Sequence, residues 1–206
     1  MTAHAATLDA LRERIRVLEG GPRIQRRRLS TGIGELDELV GGLPSPGILE
    51  VSGRAGTGRT CLVLRLVAER TRQHRMVAWV DATRSLYPPA AAELGVELSR
   101  LLLVRPPEDG SNPEIWATEQ LLRSGCFDLV VTSMPTRRRA RKLAGGHAWA
   151  RAAEHGHCTA VVISERPVRH VPADVRLCVG DGKVAVLRDR SGRHGRSVVL
   201  SDRRHA

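Results

Sequence analysis

At 206 residues the chain is long enough for one domain with a full hydrophobic core. It is 41% hydrophobic but only 2% aromatic, so that core must be built from Val, Leu, Ile and Ala. The net charge of +11 favours an anionic partner such as nucleic acid, nucleotide or an acidic protein surface, while the absence of a signal-peptide pattern and of any apolar run of transmembrane length excludes a membrane protein and points to the cytoplasm. The base is almost all arginine, with Lys142 and Lys183 the only lysines. Genomic composition would produce the same arginine excess, and both readings stay open.

The elements follow in order. Residues 5–19 read as an amphipathic helix with Leu8, Leu11, Ile15 and Leu18 on one face. Gly20, Gly21 and Pro22 end it, and a basic linker runs over 23–28. Ser30-Thr31-Gly32 leads into a short helix over 35–40, closed by Gly41-Gly42. Continuous apolar runs at 48–52, 76–81, 101–104, 127–132 and 159–164 read as buried parallel strands. Helices are expected at 58–73, 86–94, 112–124 and 136–155. The tail changes character, with short antiparallel strands at 175–179, 183–187 and 197–200 and a hairpin signal at Asp181-Gly182. Residues 1–29 thus form an N-terminal helix and linker, and 30–206 the core domain.

Cys61, Cys126, Cys158 and Cys178 are scattered and read as small core hydrophobes of a reducing compartment. His147, His155 and His157 have no second ligand group, so no metal site is expected.

Between the first two core strands lies a glycine-rich loop. Gly53, Gly58 and Thr60 fit G-x-x-x-x-G-K-[ST], with Gly56 between them, but Arg59 stands where the lysine belongs. Such glycines let backbone N–H groups curl around a phosphate at a helix N-terminus. Arginine is planar and longer than lysine, so the exchange alters the phosphate ligand. Weak nucleotide binding through the backbone and Thr60 stays open; efficient phosphoryl transfer is not expected.

Residues 30–37, Gly41-Gly42-Leu43-Pro44, residues 47–50 and the loop at 53–60 resemble the opening of the RecA ATPase core. The likeness continues through 77–83, Leu94-Gly95-Val96, 101–106, 122–133 and 141–145. It implies an α/β fold: a RecA-like core with a mostly parallel central sheet flanked by helices, an N-terminal helix and C-terminal antiparallel strands. It also implies three functional positions. The catalytic glutamate falls at Thr83 and the Mg²⁺ carboxylate at Thr132, with Asp128 out of register; the γ-phosphate sensor falls near Ser164 or Glu165. With Arg59, the cation, the base and the metal carboxylate are all changed, which argues against ATP hydrolysis.

Among RecA-like chains, the N-terminal pattern over 11–19 and the arginine-rich hairpin over 184–193 resemble the ImuA family. That resemblance implies a translesion-synthesis accessory working with an ImuB-like protein and an error-prone polymerase. The SulA-like division inhibitors are the rival resemblance, and a weak nucleotide-gated ATPase the third reading. Arg137, Arg138, Arg139, Arg141 and Lys142 give five cations over about two turns, fit for weak, non-specific DNA contact or for a solvated face. Leu8, Leu11, Ile15 and Leu18 need a surface to bury against: the chain's own core, a second copy, or RecA.

Overall fold

A computed structural model describes residues 27–107, 112–134, 146–168 and 170–200. The predicted helix over 5–19, with its stripe of Leu8, Leu11, Ile15 and Leu18, lies outside the described residues. The chain forms β1 (Arg27–Leu29), α1 (Gly34–Val40), β2 (Leu43–Ser45), β3 (Gly47–Ser52), α2 (Arg59–Arg72) and β4 (Val77–Val80). Then come α3 (Pro88–Glu93), a 3-10 turn at Leu98–Arg100, β5 (Leu101–Val104), α4 (Pro113–Arg123) and β6 (Leu129–Ser133). The last elements are α5 (Gly146–Gly156), β7 (Thr159–Ser164), β8 (Val175–Gly180), β9 (Lys183–Asp189) and β10 (Ser197–Val199).

Eight strands make one sheet in the order β10-β9-β8-β3-β7-β6-β4-β5. The six strands from β8 to β5 are parallel, and β9 and β10 add antiparallel. The mostly parallel sheet and the antiparallel tail match the expectation. The parallel alignment places the C-terminal ends of β3, β7, β6 and β4 side by side along one edge.

Alternation along each strand sends side chains to two faces. Leu49, Val51, Trp79, Val131 and Val161 face α1, α2 and α3. Ile48, Ala78, Val130, Ala160 and Val162 face α4 and α5. Strands β3, β4, β6 and β7 are buried at every residue, which is why they read as unbroken apolar runs. Trp79 fills one layer and Trp149 the other; Trp149 Nε1 also donates to the carbonyl of Ile115, joining α5 to α4.

The linker reading of 23–28 is corrected at Arg27 and Arg28, which belong to β1 and pair antiparallel with Ser45 and Pro44 of β2. Charged, exposed residues hid this strand; only its pairing defines it. The core reading of the cysteines holds for Cys158, which is buried, while Cys178 is half-buried. Cys61 and Cys126 are exposed. Burial, then the nearby charge of Asp128, push the Cys158 thiol up to about 12, so it stays protonated at neutral pH.

Arg28 fastens β1 to the C-terminal strands. Its guanidinium donates to the carbonyl of Gly42 at 3.1 Å, to Ser191 Oγ at 3.0 Å and to Asp189 Oδ1 at 3.3 Å. Burial alone would raise the Asp189 pKa, but hydrogen bonds from Ser191 and the charge of Arg28 outweigh it and hold it below 3.8. The carboxylate therefore stabilises the fold above its ordinary pKa and loses that contribution as pH falls below it. Asp189→Asn is expected to cost about 1–2 kcal/mol at pH 7, a modest value because Arg28 is partly exposed. Urea midpoints should show that gap closing as pH drops from 4 towards 3; a constant gap would mean that the charge is not its source.

Candidate functional site: a phosphate loop at the sheet edge

The segment leading into α1 folds as a hydrogen-bonded turn. Asp37 accepts from Ser30 Oγ at 2.7 Å and from the Thr31 N–H at 2.8 Å. Thr31 Oγ1 accepts from the Ile33 N–H and donates to the Ile33 carbonyl, both at 3.1 Å. Gly32 has φ +74°, and a Cβ there would meet the Glu69 side chain of α2 at 2.7 Å, so glycine is required twice over. Arg70 of α2, almost fully buried, donates to the Ser30 carbonyl at 3.0 Å and pairs with Asp128 at 3.6 Å. Asp128, the out-of-register acid, is thus engaged by a structural arginine.

The phosphate loop follows β3 and opens α2. Gly53 donates to the carbonyl of Ser164 at the end of β7, at 3.2 Å. A Cβ at Gly53 would lie 2.5 Å from the Val179 carbonyl oxygen and 2.6 Å from Thr57 Oγ1, so β8 closes on the loop from behind. Gly58 caps α2 in the left-handed region. Among the described residues, the N–H groups of Arg54, Ala55, Gly56, Gly58, Arg59 and Thr60 have no hydrogen-bond partner. Six free donors at a helix N-terminus are the cradle that an anion requires.

The cation does not face that cradle as a free charge. The half-buried Arg59 turns back across the loop and donates through Nη1 to the Gly53 carbonyl. Thr60 is half-buried at the first turn of α2.

The other implied positions gather along the same edge. Thr132 is the penultimate residue of β6, fully buried, and its hydroxyl has no partner among the described residues. Thr83 follows β4, and its Oγ1 lies 2.8 Å from Ser85 Oγ. The neighbouring acid, Asp81, is buried and holds the turn, accepting from the N–H groups of Ser85 at 2.9 Å and Leu86 at 3.1 Å. Ser164 Oγ donates to Glu50, and Glu165 beyond it is exposed. The parallel register sets Thr132 and Ser164 near the C-terminal ends of the adjacent strands β6 and β7, with Thr83 beyond the end of β4. The basic segment with Arg137, Arg138, Arg139, Arg141 and Lys142, expected to contact DNA, lies outside the described residues.

Sequence reasoning missed the Glu50–Arg176 pair that anchors this edge. Glu50 Oε1 accepts from Ser164 Oγ and from the Val168 N–H at 2.6 Å, and Oε2 accepts from Arg176 Nε. A glutamate inside an unbroken apolar strand was the available signal, since such a residue is buried only with partners.

Residues 12–142 match the family model described as the RecA N-terminal domain. Protein RecA of Brucella anthropi is 36% identical over 119 residues, 57% of this chain and 32% of that protein. Protein RecA of Synechococcus elongatus is 38% identical over 110 residues, 53% of this chain and 30% of that protein. The chain thus spans about a third of the length of these curated relatives. A crystal structure of the RadB recombinase superposes with a TM-score of 0.65 at 22% identity, over 82% of this chain and 94% of that one. That likeness is one of fold.

If the guanidinium of Arg59 hinders the cradle, Arg59→Lys should bind ADP about tenfold more tightly than the wild type, a gain of about 1.4 kcal/mol. Calorimetric titration of both proteins checks this; equal affinities would show that Arg59 is no obstacle.

Proposed function

The chain belongs to the family of the RecA N-terminal domain, and from that premise we propose that it is a catalytically silent adaptor in DNA-damage-induced mutagenesis and translesion synthesis. The carrying observation is the state of the phosphate-loop edge. Its backbone donors line the loop, but Arg59 is turned onto Gly53, and the RecA resemblance assigns the base and metal positions to Thr83 and Thr132, neither of which carries a carboxylate. Phosphoryl transfer rests on positioned charge. The nearby acids are committed elsewhere: Asp81 to its turn, Glu50 to Arg176 and Asp128 to Arg70.

The adaptor role rests on the ImuA-like pattern over 11–19 and on the arginine-rich stretch over 184–193, in which Arg188 lies in β9 and Arg190 just beyond its end. An ImuB-like protein and an error-prone polymerase are the partners, RecA a further one, and DNA is held weakly and without sequence preference. The six free loop donors favour a second reading, in which nucleotide binds weakly and gates assembly without being hydrolysed.

Phosphate release measured with and without single-stranded DNA should stay below about one turnover per minute, against roughly 1–100 per second for ordinary phosphoryl-transfer enzymes. Faster release that Arg59→Ala abolishes would identify an active ATPase. Co-expression with an ImuB-like protein should give a complex that survives gel filtration; separate elution would remove the adaptor role.

A further inference from the structure

The helical layer over one face of the sheet stops short. On that face α4 and α5 cover β6, β4, β7 and β3, and the crossover between β7 and β8 adds Val171 and Ala173 above β3. Among the described residues, that cover ends beyond β3. The register places Arg176, Cys178 and Gly180 of β8 on this same face as Glu50. It carries the face on through Lys183, Ala185 and Arg188 of β9 to Ser197 and Val199 of β10. The opposite face of β8 and β9 is covered, with Leu177, Val184 and Val186 at 1% exposure or less. Strand β8 accordingly alternates buried and half-buried along its whole length.

We propose that the bare face of β8, β9 and β10 is the docking surface for an amphipathic helix of a partner protein, one that carries carboxylates along its flank. Shape supports a helix. Three strands span about 10 Å between the outer two, the width of one helix. The floor is small (Cys178, Gly180, Ala185 and Ser197), so a helix can approach as closely as α5 does over β3. Apolar contact is provided by Leu187 at 48% exposure, beside a bulge in β9, and by Val199 at 59%.

Charge supplies the sign of the partner. Lys183 and Arg188 are exposed and have no carboxylate partner among the described residues. Asp189 is turned away and paired with Arg28. The two cations lie five residues apart on β9, about 16 Å, which matches carboxylates about eleven residues apart on a helix. Among the described residues no aromatic side chain stands on this face, so stacked nucleic-acid bases have no platform there. The surface stands on its own geometry: failure of its test leaves the silent-loop reading intact, and ATP turnover would leave this surface intact.

Cys178 is a built-in reporter. The full chain is labelled with a maleimide, and the rate at each cysteine is followed by mass spectrometry. The probes are an 18-residue helical peptide with a leucine face and two glutamates eleven positions apart, the same peptide with lysines for glutamates, and a single-stranded oligonucleotide. The acidic peptide should slow labelling of Cys178 at least tenfold and leave the exposed Cys61 and Cys126 unchanged. Lys183→Glu with Arg188→Glu should abolish the protection, with Cys158 still unlabelled as the sign of an intact core. Val199→Glu, on the exposed edge strand, is the second variant and should weaken protection in the same direction. Equal protection by the lysine peptide, protection that persists in both variants, or protection by the oligonucleotide alone would each overturn the proposal.

Discussion

Glu50 has no solvent exposure and sits in the middle of the central strand, the one from which the phosphate loop hangs. An ionised carboxylate there is tolerable only with full compensation. Its two oxygens take a hydroxyl from β7, a backbone N–H from the crossover and the guanidinium of Arg176 on β8. Arg176 then donates onward to the carbonyls of Val168 at 2.9 Å and Val171 at 3.2 Å. Removing one member of such a pair strands the other's charge, at about 3–5 kcal/mol. The pair therefore ties β7, β3, β8 and the β7–β8 crossover together. The loop inherits its position from this arrangement, since Gly53 is fixed by Ser164 on one side and pressed by Val179 on the other.

The edge of the sheet keeps its architecture while its charge is redistributed. Acids remain at or near the ends of the strands, but each has a structural duty. Asp81 shapes the turn that carries Thr83, Asp128 pairs with Arg70, and Asp37 ties the Ser30–Thr31 turn to α1. These roles act on backbone N–H groups and buried cations, so they persist whether or not a nucleotide is present. A carboxylate that served only metal or water has no such second use in the fold. Thr83 and Thr132 carry no such duty: among the described residues, the Thr83 hydroxyl meets only the side chains of Asp81 and Ser85, and the Thr132 hydroxyl has no partner.

The parallel core was legible because β3, β4, β6 and β7 are buried on both faces and leave unbroken apolar runs. The loop was legible because Gly53, Gly56 and Gly58 are demanded by backbone geometry, close approach in one case and positive φ in the others. What escaped depends on tertiary pairing. Strand β1 is short, with arginine at two of its three residues, and it exists through its register with β2. The partner of Glu50 is 126 residues away in the chain, and no local pattern marks it. The direction of Arg59 was likewise invisible: the motif gave the identity of the side chain, whereas its contact with Gly53 follows from the curl of the loop.

The two ends of the sheet make the final contrast. Strand β5 closes one edge with its four residues half-buried or exposed, while at the other edge the sheet turns antiparallel and loses its helical cover on one side. Antiparallel strands tolerate such one-sided exposure, as parallel ones do not. The sequence bears this out in composition: β9 alternates valines toward the core with Lys183, Ala185 and Arg188 outward, and a bulge leaves Leu187 and Arg188 both exposed. The transition from unbroken apolar runs to alternation is thus the point at which the chain stops building its own core and begins to present a surface.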